Sequence, residues 1–120
     1  MIRKIKEVIK EQVDDISELA FDVIPENKVF PHIVSTISMD IYREGLHTMQ
    51  IDFDVWDFNL TSKNIDDISE RLIDKLDKFK YTDNELNFVM YLLSTAYIQD
   101  TNKKLRRKTC TFELQARKGK

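Results

Sequence analysis

The chain has 120 residues, of which 42% are hydrophobic and 33% charged, a composition typical of one globular domain over residues 1–120. Its 19 basic and 21 acidic residues nearly cancel, so the net charge indicates neither a nucleic-acid nor a membrane partner. Two glycines in the whole chain exclude Gly-rich phosphate loops, and the single cysteine, Cys110, excludes an internal disulfide.

The first element is predicted to be an amphipathic helix over residues 2–21. Apolar residues recur there every three or four positions, with charged residues between them. These apolar residues are Ile2, Ile5, Ile9, Val13, Ile16, Leu19 and Ala20. Pro25 cannot continue a helix, and residues 26–28 are predicted to form a loop.

Two segments of alternating apolar and polar residues follow and predict a long antiparallel hairpin. Its strands cover residues 30–42 and 49–57, and residues 43–45 form the turn. The side chains predicted to be buried are Ile33, Ile37, Met39 and Ile41 in the first strand and Met49, Ile51, Phe53 and Val55 in the second.

The remaining elements are a second helix and two further strands. The helix begins after Ser62 or Asn64 as the N-cap, and its apolar stripe consists of Ile65, Ile68, Leu72, Leu76 and Phe79. Residues 86–93 are rich in aromatic and branched side chains and are interpreted as a strand, although their pattern also suits a helix. A last strand over residues 105–116 places Cys110, Phe112, Leu114 and Ala116 inward.

This order predicts an α+β fold, α-β-β-α-β-β, in which two helices pack on one face of a mostly antiparallel four-stranded sheet. The other face is predicted to be polar apart from a few apolar side chains, which indicate a second contact surface. These side chains are Val34, Trp56, Val89, Tyr91 and Leu93.

Carboxylates on the second strand of the hairpin are the first candidates for chemistry. Asp52, Asp54 and Asp57, with Asp40 across the hairpin, could supply oxygen ligands to a hard cation such as Mg²⁺. A small metal-dependent enzyme using Asp52 and Asp54 is therefore one hypothesis. No glycine-shaped loop or histidine accompanies them, which favours a solvated strand face.

The histidines and the cysteine give no catalytic pattern. His32 and His47 lie at opposite ends of the hairpin without the spacing of a zinc site, and Cys110 is expected to pack among apolar residues. We therefore predict that the chain is not an enzyme and has no catalytic residue, no metal and no cofactor.

Positive charge is concentrated near the end of the sequence. Residues 101–120 contain eight Lys or Arg and one acid, net +7, whereas the first hundred contain eleven basic and twenty acidic residues, net −9. Lys103, Lys104, Arg106 and Arg107 are candidates for sequence-independent contact with DNA or for docking. A small nucleic-acid-binding module that uses residues 103–108 is the main alternative function, and a solvated turn is the simplest explanation.

Several patterns resemble the tail completion or tail terminator proteins of tailed phages, prophages and phage-tail-like particles. They are the amphipathic first helix, Phe-Pro-His-Ile-Val at residues 30–34, Ile-Asp-Phe-Asp-Val-Trp at residues 51–56 leading through residues 59–62 into a helix, and a last strand after a basic turn at residues 106–114. The resemblance lies in the order and spacing of these patterns, and it spans nearly the whole chain.

The resemblance implies a structural assembly protein that catalyses no reaction. Such proteins form a ring, usually a homohexamer, that caps the tail tube and joins the tail to the head connector or stopper. The implied location is the host cytoplasm during assembly and then the head-tail junction, or neck, of the virion. No apolar run approaches the roughly 20 residues of a membrane span, so no membrane partner is expected.

Four side chains are predicted to contact other subunits or the tail tube. They are Tyr42, Arg43 and Leu46 at the hairpin tip and Trp56 on the outward face of the second strand. Large apolar side chains gain roughly 1.5–3 kcal/mol each when buried, and aromatic or Arg anchors often dominate interfaces. Packing within the chain is the alternative explanation for Trp56.

Overall fold

The computed structural model describes residues 1–22 and 30–119, without the side chain of Glu18. The predicted break at Pro25 and the loop at residues 26–28 lie outside the described residues. The elements, in chain order, are α1 (Ile2–Val13), β1 (Glu18–Phe21), β2 (His32–Arg43), β3 (Leu46–Phe58), α2 (Lys63–Leu76), β4 (Lys80–Thr82), β5 (Leu86–Ile98) and β6 (Leu105–Lys118).

The strands form one six-stranded sheet in the order β1-β2-β3-β6-β5-β4. The pair β1–β2 is parallel, and the pairs β2–β3, β3–β6, β6–β5 and β5–β4 are antiparallel. The predicted four-stranded sheet with the order α-β-β-α-β-β is therefore wrong. The chain is a mixed six-stranded half-barrel with two helices, in the order α-β-β-β-α-β-β-β.

The predicted first helix is too long, because α1 ends at Val13 and β1 follows. The chain turns at once, since the backbone N–H groups of Ile16 and Ser17 both bond to the carbonyl of Val13. Leu19 is buried in β1, where it pairs with Ile33. In a segment of four residues, one inward leucine fits a helix and a strand equally well. The secondary structure of such a segment is therefore decided by whether it pairs with a neighbouring strand.

The long hairpin is confirmed, but two of the four side chains predicted to be buried on its first strand are exposed. A β-bulge between Ile37 and Met39 shifts the register of β2 against β3. Met39 then pairs with Gln50 on the outer face, and Met39 and Ile41 are 50% and 55% exposed. One extra residue in a strand turns all later side chains to the opposite face, which simple alternation does not anticipate.

The segment at residues 86–93 is indeed a strand, and β5 continues to Ile98. It also carries a bulge, between Leu92 and Ser94. The prediction missed β4, whose three residues are too few to show alternation.

The core lies between the helices and the inner sides of β3 and β6. All eight residues predicted to face inward from these two strands are buried, and Phe53 meets Phe112 edge-on, with ring centroids 5.5 Å apart. Helix α2 packs against β3, β5 and β6, whereas α1 packs against α2 and β1. The predicted stripe of α2 is buried at Ile65, Ile68, Leu72 and Leu76.

Candidate assembly surfaces

The tip of the β2–β3 hairpin presents three of the four predicted interface residues. Tyr42 is 64% exposed, Arg43 is exposed, and Leu46 is partly buried. The Tyr42 ring lies against His47, with centroids 4.6 Å apart, and His47 Nδ1 lies 3.0 Å from Asp40 Oδ1. Gly45 closes the turn at a φ of +84°, a conformation that favours glycine.

The fourth residue, Trp56, is not part of this tip. It lies ten residues after Leu46 on β3, a distance of about 33 Å along an extended strand. It is partly buried, and the guanidinium carbon of Arg107 lies 5.0 Å from the Trp56 ring centroid. Trp56 therefore packs in part within the chain, and its role in an interface stays a prediction.

The carboxylates of β3 have partners in the chain. Asp52 accepts a hydrogen bond from Thr111 at 2.8 Å, and Asp54 accepts one from Thr109 at 2.5 Å. Asp57 is 4% exposed and accepts a hydrogen bond from Asn64. Within residues 1–22 and 30–119, no three His, Cys, Asp or Glu side chains are grouped so that they could bind a metal ion.

The basic segment divides into free and engaged side chains. Lys103 and Lys104 are exposed. Arg106 Nη2 donates to the carbonyl of Leu60 at 2.7 Å, and Arg107 Nη2 lies 3.1 Å from Asp54 Oδ2. The four residues thus lie at one end of the sheet, but two of them already bind groups of the same chain.

A polar cluster connects this end of the sheet to α2. Tyr97 OH donates to Asp66 Oδ1 at 2.5 Å, and Lys108 Nζ lies 3.5 Å from the same oxygen and 4.8 Å from the Tyr97 ring centroid. The hydrogen bond from Tyr97 is the main reason that the pKa of Asp66 lies below its usual value, and the same bond raises the pKa of Tyr97. The cluster borders an open cleft of about 530 Å³ that Lys103 and Arg106 also line.

Cys110 is fully buried on the inner face of β6, where it pairs with Phe53 of β3. Burial is the main cause that raises the pKa of its thiol. A protonated, inaccessible thiol is a poor nucleophile, so Cys110 acts as a small packed side chain.

The exposed apolar side chains form a larger surface than was predicted. They lie on the outer parts of β2 and β5, at and beyond the two bulges. Tyr42 and Leu93 were predicted as contact residues, whereas Met39, Ile41, Tyr97 and Ile98 were not. Apolar residues on both faces of β5 were the available signal, but the bulges that expose these side chains leave no mark in the sequence.

No family model and no curated protein matches this sequence. The fold is similar to that of a chain in the solved structure of the virion of the native gene transfer agent (GTA) particle. That similarity has a TM-score of 0.65 at 12% sequence identity, and it covers 93% of this chain and 85% of the other. No helix in the described part of this chain is long and apolar enough to cross a membrane.

Proposed function

We propose that this chain is a structural protein of a phage-like particle, and specifically a tail terminator. In this role, copies of the chain form a ring, of six subunits by the family resemblance, that caps the tail tube and joins the tail to the head connector or stopper. The chain acts by assembly and catalyses no reaction. It works in the host cytoplasm during assembly and then at the head-tail junction.

The observation that carries the proposal is the fold shared with a chain of the GTA virion over 93% of this chain. The order of the sequence patterns that resemble tail terminators supports the finer assignment. The engaged carboxylates of β3 support assembly over metal-dependent chemistry, because Asp54 and Asp57 bind Arg107 and Asn64.

The hairpin tip is the surface we assign to the tube or to a neighbouring subunit. Tyr42 and Arg43 are exposed at the far end of a twelve-residue strand, away from the helices that fill the core. An exposed aromatic ring beside a guanidinium is a typical interface anchor. Lys103 and Lys104, at the other end of the sheet, are left for weak contact with passing DNA.

The test is capping of purified tail tubes by the chain. We expect the wild type to bind tube ends and stop their extension. The double variant Tyr42→Ala, Arg43→Ala should keep its circular dichroism spectrum but cap at least tenfold more weakly, since the loss of a central anchor costs about 2 kcal/mol or more.

Leu60→Ala is the matched control, because Leu60 is 72% exposed and lies far from the tip. It should cap like the wild type. A wild-type chain that ignores tube ends but binds duplex DNA tightly at physiological salt would overturn the tail-terminator assignment in favour of a nucleic-acid module.

A further inference from the structure

Two strands of the sheet are longer than the edge strands that cover them. Strand β1 pairs with His32 to Ser35, so in the described part of the chain no strand covers the outer edge of β2 over residues 36–43. Strand β4 pairs with β5 only as far as Val89. Hydrogen bonds with residues 77–79 then occupy the outer edge of β5 at Met90 and Leu92. The described residues offer no cover for the outer edge of β5 over residues 93–98. We call these segments the β2 overhang and the β5 overhang.

The overhangs carry only some of the features that usually protect an exposed strand edge. Each has a bulge near its start, and the β2 overhang contains Asp40 and Arg43, but neither contains a proline or a lysine, and the β5 overhang has no charged residue. Six of the eleven large apolar side chains that are exposed in the described residues belong to these two short segments. An uncharged strand with free N–H and C=O groups and exposed apolar side chains is a template for pairing with another strand.

We infer that the β2 overhang of one copy pairs with the β5 overhang of the next copy, so that the sheet continues from subunit to subunit. The two segments lie on opposite edges of the sheet. Thr36, Asp52, Thr111 and Ser94 pair side by side across the four central strands. From this row the β2 overhang runs toward one end of the sheet and the β5 overhang toward the other. Pairing the two overhangs therefore shifts neighbouring copies relative to each other along the strand direction. An interface between two different surfaces repeats around a ring, whereas a self-complementary one stops at a dimer.

Charge favours a second copy as the occupant. The connection after the β5 overhang carries the exposed Lys103 and Lys104. The β2 side of the sheet carries exposed acids, among them Asp22 after β1, which lies 3.3 Å from Lys6, and Asp40 in the overhang itself, which lies 3.0 Å from His47. Pairing the two overhangs brings Lys103 and Lys104 of one copy to the acidic flank of the next.

The inference rests on the proposed function for the statement that copies assemble, and disulfide trapping tests it separately. One cysteine replaces Met39 or Ile41, and a second replaces Ser94 or Ala96. All four positions lie on the outer face of the sheet, opposite Gln50, Thr48, Thr111 and Thr109. Native Cys110 is buried, so the wild-type chain serves as the background control for disulfide formation. A disulfide needs Cα atoms about 4.4–6.8 Å apart, so only a correct pairing of overhangs traps efficiently.

Under oxidation, at high protein concentration and again on tube ends, at least one double variant should give a ladder of linked dimers, trimers and larger species. Each single variant should remain unlinked. The matched control joins Ile41→Cys to Asn87→Cys, on the same face of β5 but where β4 covers the edge, and it should give no ladder.

The outcomes separate the inference from the proposed function. No ladder from any double variant in either condition overturns the inference, even if the wild type caps tubes normally. Linked dimers from the single Ile41→Cys variant overturn it as well, since they indicate a self-complementary contact between β2 overhangs. A ladder supports it whether or not the wild type caps tubes, because capping reports only on the tail-terminator role.

Discussion

The two long hairpins of this sheet have the same plan but differ in what supports their tips. Each joins strands of twelve to fourteen residues, and each has one bulge in its outer strand. The β2–β3 tip is a two-residue turn at residues 44–45, and its contact with the rest of the described chain is the bond from Arg117 to the carbonyl of Glu44, 3.4 Å long. The β5–β6 tip is instead tied to α2 and to the loop before it.

That support comes from polar contacts. Tyr97 and Lys108 meet Asp66 near the start of α2, and Arg106 binds the carbonyls of Asn59 and Leu60. Extended hairpins are only marginally stable by themselves, so the first tip depends on its own turn and cross-strand pairs. One end of the sheet is therefore fixed by contacts with other elements, whereas the other owes its shape to its own turn and cross-strand pairs.

The largest expected effect comes from deleting a core side chain on which both hairpins pack. Phe112→Ala deletes a fully buried ring that meets Phe53 across β3 and β6, and it should lower the free energy of unfolding by about 3–5 kcal/mol. Urea unfolding measures the loss, and amides of both hairpins should exchange faster together. Phe58→Ala, at a ring that is 50% exposed, is the control and should cost far less. Equal losses from the two variants would contradict the placement of the core.

A smaller change should affect the first hairpin alone. Gly45→Ala places a Cβ at a φ of +84° and should cost roughly 1–2 kcal/mol, because L-residues are strained in that region. The new Cβ would lie 3.6 Å from Arg117 Nη1, so strain and not a clash is the cause. Hydrogen exchange should accelerate at the tip of β2–β3 and remain unchanged at residues 99–104. Acceleration at both tips would show that they are coupled.

The smallest change should affect the second hairpin alone. Tyr97→Phe removes the hydrogen bond to Asp66 and should lower the free energy of unfolding only slightly, since the ring itself is mostly exposed. The folded-state pKa of Asp66 lies below the ordinary 3.8, so the bond stabilises the chain fully above pH 3.8 and its contribution is lost as the pH falls through the lower folded value.

Urea unfolding from neutral to strongly acidic pH measures this difference. The wild type and Tyr97→Phe should differ at neutral pH and converge in strong acid. Tyr91→Phe, on the same strand, is the control and should match the wild type throughout. A difference between the wild type and Tyr97→Phe that stays constant into strong acid would exclude Asp66 as the partner that matters.

The sequence predicted the parts of the fold that depend on regular periodicity. The inward faces of β3 and β6 and the stripe of α2 follow from alternation and helical spacing, because each side chain is placed by its own strand or helix. Residues 39 and 41 were misplaced because a bulge depends on pairing between strands and changes the face without changing the pattern. Strands β1 and β4 were missed because three or four residues are too few to distinguish a strand from a helix or a turn.

The candidate surfaces could be predicted only in part, for a related reason. The exposure of Tyr42 and Arg43 follows from their position at a hairpin tip. The contact between Trp56 and Arg107 joins residues fifty-one positions apart, and it depends on the register of β3 against β6, which local patterns do not contain. The overhangs could not be predicted from the sequence, because an overhang exists only where the neighbouring strand is shorter, and the pairing of strands is not contained in a local pattern.

The burial of Cys110 gives the chain a built-in probe of its own opening. The thiol is fully buried, and its residue pairs with Phe53 on one side and Thr95 on the other, at the middle of the sheet. A thiol-reactive dye can therefore label the wild-type chain only when the core between α2 and the sheet opens. Fraying at either tip leaves the thiol protected, so the labelling rate counts openings of the core.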